Sequence, residues 1–465
     1  MLRILSNVFR IPELRNKILF TAAMLVVYRL GYWIPIPGVS QELLQDYFNK
    51  SQQAGGSLAK LADFVNIFSG GNFSQSTIFG LGIMPYISAS IIIQLFGTVM
   101  PQIKKLQEEG PSGRQKIMEW TRYGAVALCV IQGLVWLKTI TTMGGGMVYP
   151  EQAANPLWWV MATACLTAGS VFLMWLGEQI DRFGIGNGVS MIIMAGIVAR
   201  MPAAVQHLVA NFDQQDPTKM GFMGLFVLIA GFVGVTAGAV LMTVAQRRIP
   251  IQQAKHTRGR RVLGGQKSYL PLRLNHSGVM PIVFASSLMI FPTMIFSGFA
   301  DVMRAEQSTG MFSTIVKWLA NNLSTGQFLH EIFYVAMIYF FAYFWITVQF
   351  NPEDMAKQLK EHGSFIPGLR PGPRTAEYLT TVITRITFVG AAFLSLIAVI
   401  PTVVNKALNV PPDVSQFLGG TGLLIVVSVA LDFLQRVEAN LLMRNYAGFL
   451  SGGDDSGPRI RGPRG

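Results

Sequence analysis

The sequence predicts an all-α polytopic membrane protein with ten transmembrane helices. Of its 465 residues, 51% are hydrophobic and only 13% are charged, whereas about 25% of the residues in an ordinary soluble domain are charged. The mean hydropathy is +0.42. The apolar residues also form repeated runs of the length, about 20 residues, that a helix needs to cross a bilayer. These observations exclude a soluble globular domain.

Hydropathy along the chain gives the positions of the ten spans. They are Lys17–Trp33, Ile78–Met100, Tyr123–Thr139, Pro156–Gly177, Val189–Val209, Gly221–Ala245, Val279–Phe299, Phe328–Gln349, Val382–Ile400 and Gly419–Gln435. Short segments join most of them.

The basic residues predict the orientation of these spans. When the N-terminus is placed in the cytoplasm, most of the 37 Lys and Arg residues fall on cytoplasmic segments, as the positive-inside rule requires. Both termini are therefore expected in the cytoplasm. The formal net charge of +13 is mostly this topology signal and requires no nucleic-acid ligand, although basic loops can also contact an RNA-bearing partner.

The sequence contains no pattern that predicts catalysis or a cofactor. The five histidines have no metal-ligand spacing, and there is no phosphate-binding loop of the GxxxxGK[ST] type. The stretch GIGNG, Gly184–Gly188, is not a dinucleotide fingerprint, because Val189 stands where the last glycine should be. Cys129 and Cys165 lie in apolar segments and are expected to be free thiols. We therefore predict a protein that is not an enzyme and has no cofactor and no metal site.

Two cytoplasmic segments, 246–278 and 350–381, are unusually long and contain Pro, Gly and many basic residues. One interpretation is that they only anchor the topology. A few basic residues suffice for that purpose, so the length of the segments favours surfaces on which partner proteins dock.

Irregular helices are the other unusual feature. Ala59–Ser74 is amphipathic but too short and too polar to cross a membrane, which predicts a re-entrant segment buried in protein or lining a cavity. Interrupted spans of this kind are typical of a central site in transporter-like folds. Charged residues are almost absent from the span centres. Arg385 can reach the cytoplasmic face, and Asp432 can form a helical ion pair with Arg436.

Nine motifs, in the order in which they occur, resemble the SecY family, the channel subunits of the bacterial Sec protein translocon. The motifs are FSGG (68–71), GIMPYISASIIIQL (82–95), EEGPSGRQKI (108–117), TRYG (121–124), FLMWLGEQI (172–180), GIGNGVS (184–190), FASS (284–287), FIPGLRPG (365–372) and GGTGLLIVV (419–427).

The resemblance implies two five-helix halves, related by an inverted pseudo-symmetry, around a central pore. The halves would be residues 1–210 and 211–445, followed by a cytoplasmic tail, 446–465, that is expected to be disordered. The implied location is the cytoplasmic (inner) membrane.

By motif, the resemblance also implies an apolar pore ring, although these residues taken alone would be ordinary core residues. An apolar constriction excludes water and ions. The ring positions are Ile83, Ile87, Val189, Ile193, Val283 and Ile425. A re-entrant plug at 61–74 would seal the resting pore, with Asn66, Phe68, Ser69, Gly70 and Gly71 as its central residues.

The second and seventh spans resemble the lateral gate through which a signal sequence leaves the pore. The implied gate residues are Ser88, Gln94, Ser286, Ser287 and Phe291. The implied docking residues in the long loops are Arg258, Arg260, Arg261 and Arg370, because guanidinium groups suit acidic surfaces and RNA phosphate. The implied partners are the small subunits SecE and SecG, the SecA motor ATPase, the ribosome, signal sequences, nascent polypeptides and membrane lipid.

The function that these expectations support is a passive protein-conducting channel. A secondary transporter for a small solute is the alternative, because ten spans and irregular helices fit both. A transporter should bury an ion or substrate site near the membrane midplane, and the sequence offers no obvious one. An intramembrane enzyme is the third interpretation, and no nucleophile–base pair supports it.

Overall fold

The computed structural model describes residues 11–44, 46, 76–142, 148–210, 212, 221–253, 256–258, 261–263, 267–275, 278–305, 310–323, 327–408 and 421–450. The helices in these ranges are α1 (Pro12–Leu30), α2 (Met84–Val99), α3 (Pro101–Glu108), α4 (Pro111–Thr142), α5 (Pro150–Ala153), α6 (Pro156–Phe183), α7 (Gly188–Ala210), α8 (Phe222–Val244), α9 (Met280–Ala305), α10 (Met311–Asn322), α11 (Phe328–Gln349), α12 (Pro352–Glu361), α13 (Pro373–Leu408) and α14 (Thr421–Leu450). The strands are β1 (Gln246–Gln253), β2 (His256–Arg258), β3 (Arg261–Leu263), β4 (Lys267–Arg273) and β5 (Ser364–Phe365).

The helices confirm a mainly helical membrane fold. Within the described ranges, each of the ten predicted spans overlaps one helix, namely α1, α2, α4, α6, α7, α8, α9, α11, α13 or α14. In that same part of the chain, α4, α6, α7, α8, α11 and α13 are long and apolar enough to cross a membrane, and α2 is a shorter apolar helix. The protein is therefore a multi-pass membrane protein.

Several helix ends differ from the hydropathy prediction. α2 begins at Met84 instead of Ile78, because Pro85 occupies the first turn and favours a helix start there. α13 begins at Pro373 and extends through much of the predicted loop. α14 continues to Leu450, inside the segment expected to be a disordered tail, and residues 451–465 lie outside the described residues. Hydropathy locates the apolar centre of a span and not the polar turns that extend it.

The chain that enters α2 is irregular and is held by hydrogen bonds to other elements. The backbone N–H of Ile36 donates to the Ser76 carbonyl at 3.0 Å, and the N–H of Ile78 donates to the Ile34 carbonyl at 3.0 Å. The indole Nε1 of Trp136 on α4 donates to the Ser76 hydroxyl at 3.2 Å. These bonds satisfy backbone groups that a helix would otherwise pair internally, so the segment is well anchored without being helical.

The two long segments between spans, 246–278 and 350–381, contain β-structure, which the all-α prediction did not include. β1 pairs with β4 and also with β5, all antiparallel. Ile249 and Ile251 are buried while the residues beside them are largely exposed, which is the two-residue period of a strand with one covered face. Because β5 lies in the second long segment, this sheet joins the two segments. The second segment also contains α12, where a loop was expected.

Buried side chains form separate apolar cores along the chain. One core, around Leu137 and Leu166, draws its buried members from residues 36–166. Another, around Ile338 and Leu394, draws them from residues 235–424. Two smaller clusters combine residues from both sides of position 210. The apolar packing of the described chain is therefore concentrated in two regions that meet at a limited contact.

We predict that Gly169→Ala destabilises the protein. Gly169 on α6 lies against the chain entering α2, and an added Cβ would overlap the backbone carbonyl of Ile78. Such overpacking costs about 1–3 kcal/mol. The matched control is Gly133→Ala on α4, where the nearest atom to the added Cβ is Leu166 Cδ1 at 3.6 Å. Thermal unfolding in detergent should show a lower midpoint for Gly169→Ala alone, and equal midpoints would contradict the close-packing argument.

Candidate functional site

The first two predicted ring residues lie at the start of α2. Ile83 immediately precedes the helix and Ile87 lies one turn inside it, with exposed fractions of 1% and 9%. They belong to a buried cluster, here called the N-side cluster, which is Tyr28, Phe79, Ile83, Ile87, Leu173, Leu176, Ile180 and Ile192. The irregular chain before α2 therefore delivers both ring residues to one apolar core.

Two of the other predicted ring residues lie in a cluster that combines residues from both sides of position 210. Val283 on α9 and Ile425 on α14 belong to a second cluster, here called the junction cluster, which is Met191, Ile197, Val283, Ile425 and Val429. Val189 on α7 packs against the N-side cluster. Ile193, one turn further along α7, packs against both clusters. The structure thus places the six residues in or against two adjoining clusters, and Leu25, Met84 and Ile193 pack against both.

The GIGNG turn positions α7 and with it two ring residues. The Asp181 Oδ1 accepts a hydrogen bond from the Gly188 N–H at 2.7 Å, and the Asn187 Oδ1 accepts one from the Ser190 N–H at 3.0 Å. These carboxylate and amide oxygens cap the free N–H groups at the start of a helix. Gly186 adopts a φ of +106°, which favours glycine. The motif is therefore a helix cap.

The chemistry of this region is that of an apolar contact between aliphatic side chains. Ile83, Val283 and Ile425 are each less than a tenth exposed and contact other aliphatic side chains. Aliphatic side chains offer no ligand to an ion, so water and ions gain nothing by entering a constriction of this kind. Their contacts are individually weak dispersion contacts, so they can separate without breaking a directional bond.

Ser286 is the predicted gate residue on α9 whose side chain the structure describes. Its hydroxyl donates to the Val283 carbonyl at 3.1 Å, and its side chain lies beside the Tyr334 hydroxyl of α11. Tyr334 is buried, as is Ile338 one turn later on α11. The centre of the Tyr334 ring lies 6.1 Å from the centre of the His330 ring, one turn earlier on the same helix. Ser287 and Phe291 lie on α9, and their side chains are outside the described part of the structure.

An apolar residue of α2 packs against a cluster to which α9 contributes. The Gln94 amide donates to the Ser90 hydroxyl of its own helix at 3.4 Å, and Ser88 is half-buried. Ile91 packs against the cluster that contains Ile282 and Phe284 of α9, and also against the N-side cluster. The predicted gate set contained four polar residues and Phe291, and it did not include Ile91.

Two of the predicted docking residues lie on the β2–β3 hairpin. Arg258 on β2 is paired directly with Arg261 on β3, so both flank the tip of a short hairpin. Arg260 lies outside the described residues. Arg370 is exposed, and its carbonyl accepts a hydrogen bond from the Thr375 hydroxyl at 3.0 Å. The plug prediction at 61–74 also falls outside the described residues.

A statistical model of one protein family, SecY, matches residues 77–434. The chain belongs to the SecY family. Among its relatives, the protein translocase subunit SecY of Chlamydia muridarum is 40% identical over 458 residues, which cover 96% of this chain and 97% of that one. The subunit of Thermotoga maritima is 37% identical over 460 residues and covers 99% of both chains. Proteins of this family are translocase subunits rather than catalytic enzymes.

Solved structures of SecY-type channels share the fold. A structure described as a protein-conducting channel aligns with a TM-score of 0.57 at 17% identity, over 94% of this chain and 95% of the other. A SecY structure described in terms of a plug domain that stabilises the closed channel aligns with a TM-score of 0.59 at 18% identity, over the same shares. These likenesses confirm the fold class.

Two contacts of the described structure were not predicted from the sequence. Four of the six predicted ring positions lie inside the motifs, and the other two, Ile193 and Val283, lie within three residues of one. Ile91 offered a weaker signal, its position four residues after Ile87 on the same face of α2. Tyr334 offered another, because a tyrosine within an apolar helix needs a partner for its hydroxyl.

We predict that Tyr334→Phe loosens the gate helix. The change removes the hydroxyl that contacts Ser286, and a hydrogen bond of this kind contributes about 0.5–1.5 kcal/mol. The matched control is Tyr339→Phe on the same helix, where the described structure contains no hydrogen bond to the hydroxyl. Thermal unfolding should show a lower midpoint for Tyr334→Phe. Cysteine crosslinking between α2 and α9 should also be slower, and equal crosslinking rates in both variants would contradict the role of Tyr334.

Proposed function

We propose that this SecY-family protein is a channel that moves unfolded secretory polypeptides across the cytoplasmic membrane and releases hydrophobic segments sideways into lipid. The observation that carries the proposal is the position of the ring residues. The resemblance implied each of these positions separately. They lie in or against the N-side cluster and the junction cluster, and Ile193 packs against both clusters. A passage between two halves requires a contact of this kind at their boundary.

The division into halves at 1–210 and 211–445 is part of the proposal. The N-side cluster takes its buried members from residues 28–192, and the largest core of the second half takes its own from residues 235–424. α7 packs against α14 across the boundary. Two separately packed bodies with a narrow apolar contact can move apart more easily than a single continuous core.

The closed seal follows from the same contact. Opening it separates aliphatic surfaces, at about 25 cal/mol for each Å² exposed to water, and a polypeptide in the passage would cover part of that surface again. The plug at 61–74 would add a second, displaceable barrier. Its glycines suit a hinge, and its small apolar surface suits an element that is held by only a few kcal/mol.

Lateral release would follow from partitioning along the seam between α2 and α9. On the insertion scale each Leu, Ile, Phe or Val gains about 0.3–0.6 kcal/mol, and a central charge loses about 2.5–3.5 kcal/mol. Ile91 of α2 packs against an apolar cluster, so the side chains of a hydrophobic segment could take its place and meet nearly the same surroundings. A polar segment cannot, and would continue across the membrane.

The cytoplasmic sheets would receive the partners. Under the orientation in which both termini are cytoplasmic, the Arg258–Arg261 pair and Arg370 face the cytoplasm, where the SecA motor or the ribosome could bind. Solved structures of similar fold include Sec61 in a canine ribosome–channel complex, at 16% identity and a TM-score of 0.53. SecE and SecG would complete the channel within the inner membrane.

Import into vesicles tests the proposed function. The protein is reconstituted into proteoliposomes with SecE, SecG and SecA, and a radiolabelled secretory precursor and ATP are added. We expect precursor that is protected from external protease. An absence of protected precursor, with every component folded, would overturn the proposal.

A variant of the docking surface serves as an internal control in the same assay. Arg370→Glu reverses an exposed charge and leaves the apolar seal intact, so it should reduce SecA-driven import without changing the thermal midpoint. The matched comparison is Lys357→Glu, which reverses the side-chain charge at another exposed position of the second long segment. Equal import by the two variants would remove Arg370 from the proposed docking surface.

We predict that weakening the ring makes the resting channel leak ions. The double variant Ile87→Ser, Ile425→Ser replaces two buried aliphatic side chains with hydroxyls that can hold water, which removes the apolar barrier. The matched control is Ile338→Ser, Leu394→Ser, two equally buried positions in the core of the second half. Planar-bilayer recordings should show a raised resting conductance for the ring variant only.

The outcomes of these recordings separate a seal from general instability. Both double variants should lower the thermal midpoint, because each removes buried apolar surface. Comparable leaks from both would show that the ring has no special role. Deletion of 66–74 in the same recordings should raise the resting conductance if that segment is the plug.

A further inference from the structure

A helix outside the proposed channel has an apolar face that nothing in the described chain covers. α10, Met311–Asn322, is a 12-residue amphipathic helix between the spans α9 and α11. Its large apolar side chains are strongly exposed, with exposed fractions of 83% for Met311, 69% for Phe312, 51% for Ile315 and 57% for Trp318. Exposed apolar faces of this kind mark a contact surface.

The helix has three distinct sides. At 100° per residue, Met311, Ile315 and Trp318 lie within one arc, and Phe312 lies at its edge. Ser313 and Val316 point the other way and are buried, so that side rests on the protein. The exposed polar residues Thr314 and Asn321 lie together on the remaining side.

The neighbouring surface identifies what covers the apolar arc. α10 packs against α9 and also contacts α11. At this end of the two spans, Phe299 is 57% exposed and Phe328 is 80% exposed. These side chains face lipid in a membrane-spanning protein, because the spans have no water around their apolar centres. The apolar arc of α10 therefore adjoins the lipid-facing surface of the spans.

We propose that α10 lies in the membrane–water interface and buries Met311, Phe312, Ile315 and Trp318 in the lipid of one leaflet. Amphipathic helices with Trp, Phe and aliphatic residues on one face bind in this way, with that face about 5–10 Å into the boundary between headgroups and acyl chains. Tryptophan is also enriched at this level of the bilayer. Under the proposed orientation of the spans, the leaflet is the outer one.

The placement has a consequence for the gate helix. α10 follows α9 after the segment 306–309 and packs against it. A movement of α9 away from α2 would then carry α10 along the membrane surface rather than through water. The lipid contact would keep the outer end of α9 at one depth while allowing it to move sideways. This consequence rests on the proposed gate, whereas the lipid contact itself does not.

Spin-label accessibility tests the inference. Single cysteines replace Phe312, Trp318 or Thr314 in the full chain carrying Cys129→Ala and Cys165→Ala, and each is labelled with a nitroxide and reconstituted into phosphatidylethanolamine–phosphatidylglycerol vesicles. Collision rates with oxygen, which concentrates in lipid, and with a water-soluble nickel chelate are then compared. The label at Thr314 is the matched control on the polar side of the same helix.

We expect the ratio of oxygen to nickel-chelate collisions to be high at 312 and 318 and low at 314. A label at 315 takes the place of either apolar position if that variant does not fold. Water-like ratios at all three positions would overturn the inference. Low accessibility to both reagents at 312 and 318 would also overturn it, because that result indicates a protein partner on this face. If the protein imports precursor but the labels at 312 and 318 give water-like ratios, the proposed channel function stands and only the lipid contact of α10 is overturned.

Discussion

The contact between the N-side cluster and the junction cluster is the constraint on which the rest of this structure depends. Leu25, Met84 and Ile193 pack against both clusters, and Ile193 is brought there by α7. If this contact were large and interlocked, the two regions would form one rigid core, and no passage could open between them. If it were polar, water and ions would follow. A small aliphatic contact avoids both outcomes, since dispersion forces hold it closed and no directional bond resists its opening.

The polar interactions of the described chain lie around this contact and not within it. Asp181 and Asn187 cap the start of α7, Trp136 holds the chain before α2 through Ser76, and Tyr334 contacts Ser286 on α9. Each fixes the end or the neighbour of an element that carries a ring residue. These hydrogen bonds thus fix the positions of the helices, and dispersion contacts between the aliphatic side chains hold the helices together.

The sequence predicted the helical fold well because the bilayer imposes a simple rule on span length. A run of about 20 apolar residues has few alternatives in lipid, and each predicted span overlaps a helix of the described chain. The helix ends were less predictable, since Pro85, Gly82 and the polar turn after Pro373 act through local backbone geometry rather than hydropathy. The strands were missed although Ile249 and Ile251 alternate with polar neighbours, because one short alternating run in a basic loop is a weak signal. Ring positions followed from motifs, whereas the Ile91 contact depends on tertiary packing that no motif records.

The pairing of β1 with β5 gives the two long segments a property that neither would have alone. The segment between α8 and α9 and the segment between α11 and α13 share one set of backbone hydrogen bonds, through Gln252 with Phe365 and Gln253 with Ser364. A force applied to this sheet would therefore be divided between four helices instead of two. It would tilt that group of helices as a unit rather than bend a single loop.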